Sequence, residues 1–386
     1  MLKFNTNQKG KIGLLLPRSA IFPHANQHLI EGLQIYLTLH CPGITEHNCE
    51  MLIEDTANAA INISRERAEK LLLSDRVQVL AGVMSFEVAD ALRPLLEKTG
   101  TPLLLLSTGA HSLADRLRSP LIHTISLQTW QSNYCLGKFA AEQYNAAAFF
   151  SSLYDSGFDH NNAFAAGFQQ KDPESHKVFM TVSHIQSDHE DFGLVMKQAP
   201  VGEYEVLVGS YLQELALRFL QVSRPEPRLL SPLSLPWQLP GFRELPPMEL
   251  HIAGTWPWHQ TEALRDLDAQ VQHFTSKPAD HWHLLGYESG QLISELFTLA
   301  YLQKAATDTQ LQHIRESQLS SPRGTLQYDS RYQHFTSEIA RYHLRVEKGE
   351  ITVLDRVLCA PPDPESPALK HLRNTEKSAW LQPYGF

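Results

Sequence analysis

A chain of 386 residues is longer than one hydrophobic core commonly organises, so two lobes are expected. With 42% apolar and 19% charged residues, it is composed like a globular protein and not like a disordered or fibrous one. A net charge of -9 without a dense Lys/Arg block excludes a nucleic-acid surface as the main function, and no apolar run of about 18 residues exists to span a membrane.

The first half alternates strand and helix patterns. Lys11–Leu16 is an apolar run ending in Pro17-Arg18-Ser19, and Gln27–Leu39 carries Leu29, Leu33, Ile35 and Tyr36 at helical spacing. Glu50–Glu54 reads as a strand, Ala60–Leu73 as a helix, and Val77–Ala81 as a strand. A helix over Glu87–Lys98 and a strand over Leu103–Leu106 follow. Continuous apolar strands separated by helices predict a parallel sheet covered on both faces.

The rhythm restarts after a short strand at Leu121–Thr124. Helices are expected at Gln131–Gln143, His160–Gln169 and Leu212–Gln221, with strands at Ala146–Ser151, Val178–Val182 and Tyr204–Val208. Seven prolines between Arg224 and Pro247 predict an extended connection with a short strand near Arg228–Leu230. Glu249–Ala253 reads as a strand, and Gln260–Phe274 and Gly286–Gln303 as helices. Gly324–Tyr328, Ile339–Glu347 and Ile351–Val357 alternate like strands, the last two forming a hairpin about Lys348-Gly349. The segment from Pro361 onward is expected to be an extended tail.

Chemistry concentrates at two small-residue turns, Gly82–Ser85 and Ser107–His111, each at the C-terminal end of a predicted parallel strand. Ligands bind along that edge of open α/β sheets. Hydroxyls of Ser85, Ser107 and Thr108 and the amides about Gly109 suit a small polar molecule. Trp130, at the start of a helix, is placed to cover an apolar part of such a ligand, as is Trp256 beside Trp258. Each of these turns could equally be a plain strand-to-helix connection, and each aromatic a core residue.

No Gly-x-Ser-x-Gly elbow, phosphate-binding Gly-rich loop or His-Glu-x-x-His is present, so an enzyme is not expected. His281 and His283 stand two apart, off a common helix face, and no metal or other cofactor is expected. The four cysteines include no Cys-x-x-Cys pair; Cys41 and Cys49 are near enough in sequence to bridge or to stay free. The polar start, Met1–Gly10, leaves two compartments open: cytoplasmic, or outside the cytoplasm after removal of a leader.

Taken in order, several segments resemble the leucine/isoleucine/valine-binding receptor family of the type I periplasmic solute-binding fold. They are Lys11–Ser19, Glu54-Asp55, Gly82–Pro94, Pro102–His111, Ser126–Gln131, Leu153–Gly157 with Ala163–Phe168, Gly286–Leu292 and Gly324–Asp329. The resemblance implies two doubly wound α/β lobes joined by three crossings, with residues 1–123 and 253–323 in one lobe and 124–252 and 324–386 in the other. It implies a ligand clamped by Ser85, Phe86, Ser107, Thr108, Gly109, Ala110 and His111 from the first lobe. Gln128 matches a position that often carries Asp, Tyr211 matches a second-lobe tyrosine, and Tyr154 sits at a strand end facing the cleft. Phe86 stands where a serine is common, and Leu233 falls where the branched-chain amino-acid receptors carry a glutamate for the ligand ammonium. The implied function is a receptor for an amino acid, amide or small carboxylate that delivers its cargo to a membrane permease complex without itself entering the membrane. Two alternatives stay open: a cytoplasmic sensor on the same fold, and a ligand-free interaction module.

Overall fold

The computed structural model describes residues 9–19, 22–45, 49–152, 157–183, 192–197, 202–222, 226–258 and 261–375. The first α/β run comprises β1 (Gly10–Leu16), α1 (Ala25–His40), α2 (Pro42–Thr45), β2 (Cys49–Asp55), α3 (Ile61–Glu69) and β3 (Val79–Gly82). It continues through α4 (Phe86–Ala91), α5 (Arg93–Thr99), β4 (Leu103–Ser107) and β5 (Ile122–Ser126). The second run holds α6 (Thr129–Ala140), β6 (Ala146–Ser152), α7 (Gly157–Phe168), β7 (Lys177–Ser183) and α8 (Phe192–Met196). It ends with β8 (Val206–Ser210), α9 (Gln213–Gln221), β9 (Arg228–Leu230) and β10 (Met248–Gly254). Then come α10 (Glu262–Thr275), α11 (His281–Phe297), α12 (Thr307–Glu316), β11 (Gln318–Leu319), β12 (Leu326–Asp329) and β13 (His334–Thr336). The chain closes with β14 (Ile339–Glu347), β15 (Glu350–Cys359) and α13 (Pro367–Asn374).

Two sheets result, and their parallel parts share one winding. The first runs β11-β12-β13-β5-β4-β3-β1-β2, the second β15-β14-β10-β9-β8-β6-β7. Counted from its own first strand, each has the order 5-4-3-1-2, so each has a switch point between its first and third strands. This is the two-lobed, doubly wound architecture expected from the sequence. The first core packs Leu14, Leu80, Leu104 and Ile125 beneath α1 and α11. In the second lobe, Phe150, Leu207 and Ile252 fill one face of the sheet, and Phe149, Val208 and Leu229 the other. Both faces are buried, which is why these strands read as unbroken apolar runs.

Each lobe also brings two helices into backbone contact through glycine. A Cβ on Gly286 would lie 2.0 Å from the Leu29 carbonyl oxygen, and one on Gly32 would lie 2.1 Å from that of His283, so α1 and α11 need both glycines. Gly137 and Gly167 do the same for α6 and α7, with Phe164 and Tyr134 carbonyls at 2.2 and 2.1 Å. Gly286→Ala is therefore expected to lower unfolding free energy by about 1–3 kcal/mol or more, since the backbones must part. Gly43→Ala, whose Cβ would meet nothing within 4 Å, should leave the denaturation midpoint nearly unchanged. Equal midpoints for the two variants would refute this reading of the helix pair.

Four expectations are corrected. The helix expected over Glu87–Lys98 is two, α4 and α5, because Pro94 lies in the first turn of the second. The helix expected from Gly286 begins at His281, where Asp280 accepts hydrogen bonds from the Trp282 and His283 amides. The segment after Pro361 is not all extended: Pro367 starts α13, whose Leu369 and Leu372 pack with Trp130 and Tyr332. Finally, all of β5 and also β12 and β13 belong to the first sheet, with β13 parallel to β5 through Thr124 and Ile125. The crossings thus leave the ends of β5 at 126, β10 at 254 and β13 at 336, and residues 324–336 lie with the first lobe.

Candidate functional site

The crossings leave the C-terminal ends of β5, β10 and β13, so the C-terminal edges of both sheets converge on the junction. A serine closes β4, β5, β6 and β8: Ser107, Ser126, Ser152 and Ser210. Ser107 and Ser126 use their hydroxyls alike, each accepting from the amide two residues on, Gly109 at 3.0 Å and Gln128 at 2.9 Å.

The turn Ser107–His111 is built into the first crossing. Carbonyls of Ser107, Thr108 and Gly109 accept from the amides of Leu127, Thr129 and Trp130, thereby capping α6. Gly109 sits at φ +79, and a Cβ there would lie 2.4 Å from Ser126 Oγ. Only glycine permits that approach. Gln128 takes φ +57, and its side-chain oxygen accepts from the Ser337 amide at 2.7 Å, tying the first crossing to the third. Its side-chain carbonyl therefore serves the hinge.

A buried ion pair ties the first crossing to the second. Arg323 donates to Glu288 through Nε (2.6 Å) and Nη2 (2.7 Å), to Thr255 Oγ1 (3.0 Å) and to the Ser126 carbonyl (2.9 Å). Thr255 in turn donates to the Leu127 carbonyl at 3.2 Å. Both charged side chains are fully buried.

Across the cleft the lobes meet at Asp159, in the first turn of α7. Its fully buried carboxylate accepts from the Ser112 amide (2.5 Å) and hydroxyl (2.9 Å) in the first lobe. His111 Nδ1 stands 3.9 Å from the same oxygen. Beside it, His160 lies 2.9 Å from Thr129 Oγ1 and 3.4 Å from Ser210 Oγ. Burial, reinforced by the neighbouring His111, pushes the His160 pKa down to about 3, so it is a neutral hydrogen-bonding group.

Apolar walls complete the junction. Ala110 packs on Leu212, with Phe22 and Leu233 alongside. A cavity of about 50 Å³ lies between Phe22, Asp280, His281 and Trp282 of the first lobe and Gln213, Leu233, Leu235 and Trp237 of the second. Larger hollows of about 530 and 500 Å³ lie by the N-terminal ends of β2 and of β9 and β10, away from the converging edges.

The remaining predicted site residues are distributed as follows. Ser85 caps α4, accepting from the Val88 amide at 3.3 Å, and Phe86 packs on Leu113, Ala114 and Leu117. Trp130 is buried against Tyr332, 5.7 Å between ring centroids, behind α6. Tyr211 is buried on Phe219 at the end of β8. Trp256 lies between Trp237, at 6.1 Å, and His281, at 4.5 Å, both of which line the cavity. Tyr154 lies outside the described residues. Sequence reasoning missed Asp159, Ser112, Phe22, Trp237 and the Arg323–Glu288 pair; an acid in a first helical turn reads as a complement to the helix dipole and nothing more.

Among the described residues, one group has metal-ligand character: His28, Asp280 and His283, with ligand atoms within 4.8 Å of one another. Asp280 already bonds His28 Nδ1 and His283 Nδ1, each at 2.7 Å, besides capping α11. These are hydrogen-bond lengths, and the group joins α1 to α11. No described helix is long and apolar enough to cross a membrane.

Two lobes hinged at three tied crossings, with strand ends converging on an interlobe junction, define a clamp-type binding protein. A family model described as periplasmic binding protein matches residues 9–222, and the chain belongs to that family. The Leu/Ile/Val-binding protein homolog 6 of Brucella abortus is 26% identical over 159 residues, 41% of this chain and 40% of that relative's length. The fold is shared with an ABC transporter substrate-binding protein from Sphaerobacter thermophilus (TM-score 0.76, 19% identity, 91% of this chain and 98% of that one). It is shared too with a solute-binding protein of an ABC transporter from Rhodopseudomonas palustris HaA2 in complex with p-hydroxybenzoic acid (TM-score 0.74, 18% identity, 92% and 98%).

Proposed function

We propose that this protein is an extracytoplasmic receptor for ABC-type import that closes over a small amino-acid-like carboxylate. The observation that carries the reading is the Asp159 carboxylate, which reaches across the cleft to the Ser112 amide and hydroxyl. A ligand carboxylate entering between the lobes would take over those first-lobe donors, leaving Asp159 to face an ammonium. Phe22, Leu233, Trp237 and Trp282 would cover an apolar side chain. The ligand then favours the closed form because only there do both lobes touch it. With about 50 Å³ between the lobes as they stand, entry requires the cleft to open.

A second reading has one observation in its favour. Leu233 lines the cavity where an ammonium partner would be expected, which suits an aromatic acid such as the p-hydroxybenzoate bound by the Rhodopseudomonas protein.

Thermal unfolding in the presence of leucine, isoleucine, valine, the corresponding amines, and p-hydroxybenzoate separates the two. A cognate ligand at 100 times its Kd should add about 2.7 kcal/mol of stability. Amino acids are expected to stabilise, and Asp159→Asn to weaken them about 10- to 100-fold, the worth of a charge-assisted hydrogen bond. Stabilisation by p-hydroxybenzoate alone would replace the amino-acid reading. No response to any compound would favour an interaction module.

A further inference from the structure

We infer that Cys135 and Cys359 form a disulfide that fastens the last strand of the second lobe to its first helix. Cys135 lies on α6, which packs over β10 and β14, and Cys359 ends β15 at the open edge of the same sheet. The Cys135 Sγ is 3.7 Å from the carbonyl oxygen of Ala360, the residue following Cys359. The two thiols are near enough for each to shift the acidity of the other. Both are free thiols here, Cys135 buried and Cys359 half-buried. By contrast, no contact joins Cys41 to Cys49, the pair closest in sequence, among the hydrogen bonds of the described residues.

The two sulfurs are chemically unequal, which sets the order of events. The neighbouring Cys135 thiol, with Arg341 and Lys138 nearby, holds the Cys359 thiol below its usual range, while Cys359 and burial hold Cys135 well above it. The oxidant is a small disulfide such as oxidised glutathione. The Cys359 thiolate attacks one of its sulfurs, forming a mixed disulfide and expelling one thiolate. Cys135 then loses its proton and attacks the Cys359 sulfur, expelling the second thiolate. Two protein thiols are oxidised, one small disulfide is reduced to two thiols, and both protons pass to those thiols or to solvent. The bridge closes a long loop, the arrangement for which the chain-entropy account expects a large stabilisation, and it belongs to an oxidising compartment. It also pins β15, which among the described residues has β14 on one side and no strand on the other.

The experiment is peptide mapping of the native full chain after incubation with oxidised glutathione and rapid alkylation. A cross-linked peptide pair carrying Cys135 and Cys359, lighter by two hydrogen atoms than the two reduced peptides together, is expected. The oxidised protein should have a higher denaturation midpoint than the same sample after reduction. Cys135→Ala should accumulate the glutathione adduct at Cys359, and Cys359→Ala should leave Cys135 unmodified. The proposal is overturned if wild-type Cys135 and Cys359 both stay alkylatable, or if the cross-link joins other cysteines. Because the mapping uses wild-type protein, a variant that fails to fold does not affect the outcome.

Discussion

Arg323→Met is expected to cost about 3–5 kcal/mol of unfolding free energy, more than any other single substitution considered, because it strands Glu288 as an uncompensated charge. Neither side chain has any solvent contact, and among the described residues Glu288 keeps only the Ser321 hydroxyl once the guanidinium is gone. Glu288→Leu in the same chain should recover part of the loss, since an apolar pair leaves no buried charge. The energetic cost is one consequence, and the hinge is the other. Arg323 touches both the Ser126 carbonyl of the first crossing and the Thr255 hydroxyl of the second. Removing it loosens the tie between two of the three crossings, leaving the Thr255–Leu127 hydrogen bond between them. The double variant, restored in stability, should therefore still show a broader distribution of lobe separations by small-angle scattering. Additive losses in the denaturation cycle would mean that Arg323 and Glu288 do not act as a pair. A double variant with wild-type scattering would confine the arginine's part to stability.

That pair shows where sequence reading stops. The parallel strands were legible because residues buried on both faces leave unbroken apolar runs, as in Leu103–Leu106 and Ala146–Phe150. The Lys348-Gly349 turn was legible too, since both residues take positive φ in a two-residue connection. Helix α12 went unread because Thr307–Glu316 buries only Gln310, Leu311 and Ile314 among polar neighbours. Strand β13 is three residues long, too short for a period, yet it decides where the third crossing lies. At the site, glycine and serine at strand ends announced the turns. Nothing in the sequence said that Gln128 and Gly109 would serve the hinge, or that Arg323 and Asp159 would be buried while most charged residues are solvated. Those facts depend on which loops meet, and only the tertiary fold decides that.

Acidification should unfold this protein well above the pH at which its carboxylates titrate. His123, His160 and His334 are all buried, and burial holds their pKa values down to about 4, 3 and 4. Each is held by neutral partners. His123 lies between the Tyr328 hydroxyl and the Pro120 carbonyl, His160 between Thr129 and Ser210, and His334 beside the Gln131 amide. In the unfolded chain the same imidazoles take up a proton near pH 6.5. Their folded pKa values lie below that, so the unfolded state binds more protons as pH falls, and the stability present above pH 6.5 is progressively lost. At pH 5 each histidine costs about 2 kcal/mol, and the three together about 6 kcal/mol, comparable with the whole stability of a typical domain. Asp280 adds to this only in stronger acid, because its histidine partners hold its carboxyl below the usual range despite burial. Urea denaturation at pH 7.5, 6 and 5 should show stability falling with a slope of at least about three protons at the acid end, rising toward five because burial holds His251 and His281 down to about 4 as well. His123→Gln should lower that slope by about one proton whatever it does to stability at pH 7.5, since glutamine cannot titrate. A stability that stays level from pH 7.5 to 5 would mean that these imidazoles are protonated in the native state, and that water or a carboxylate reaches them.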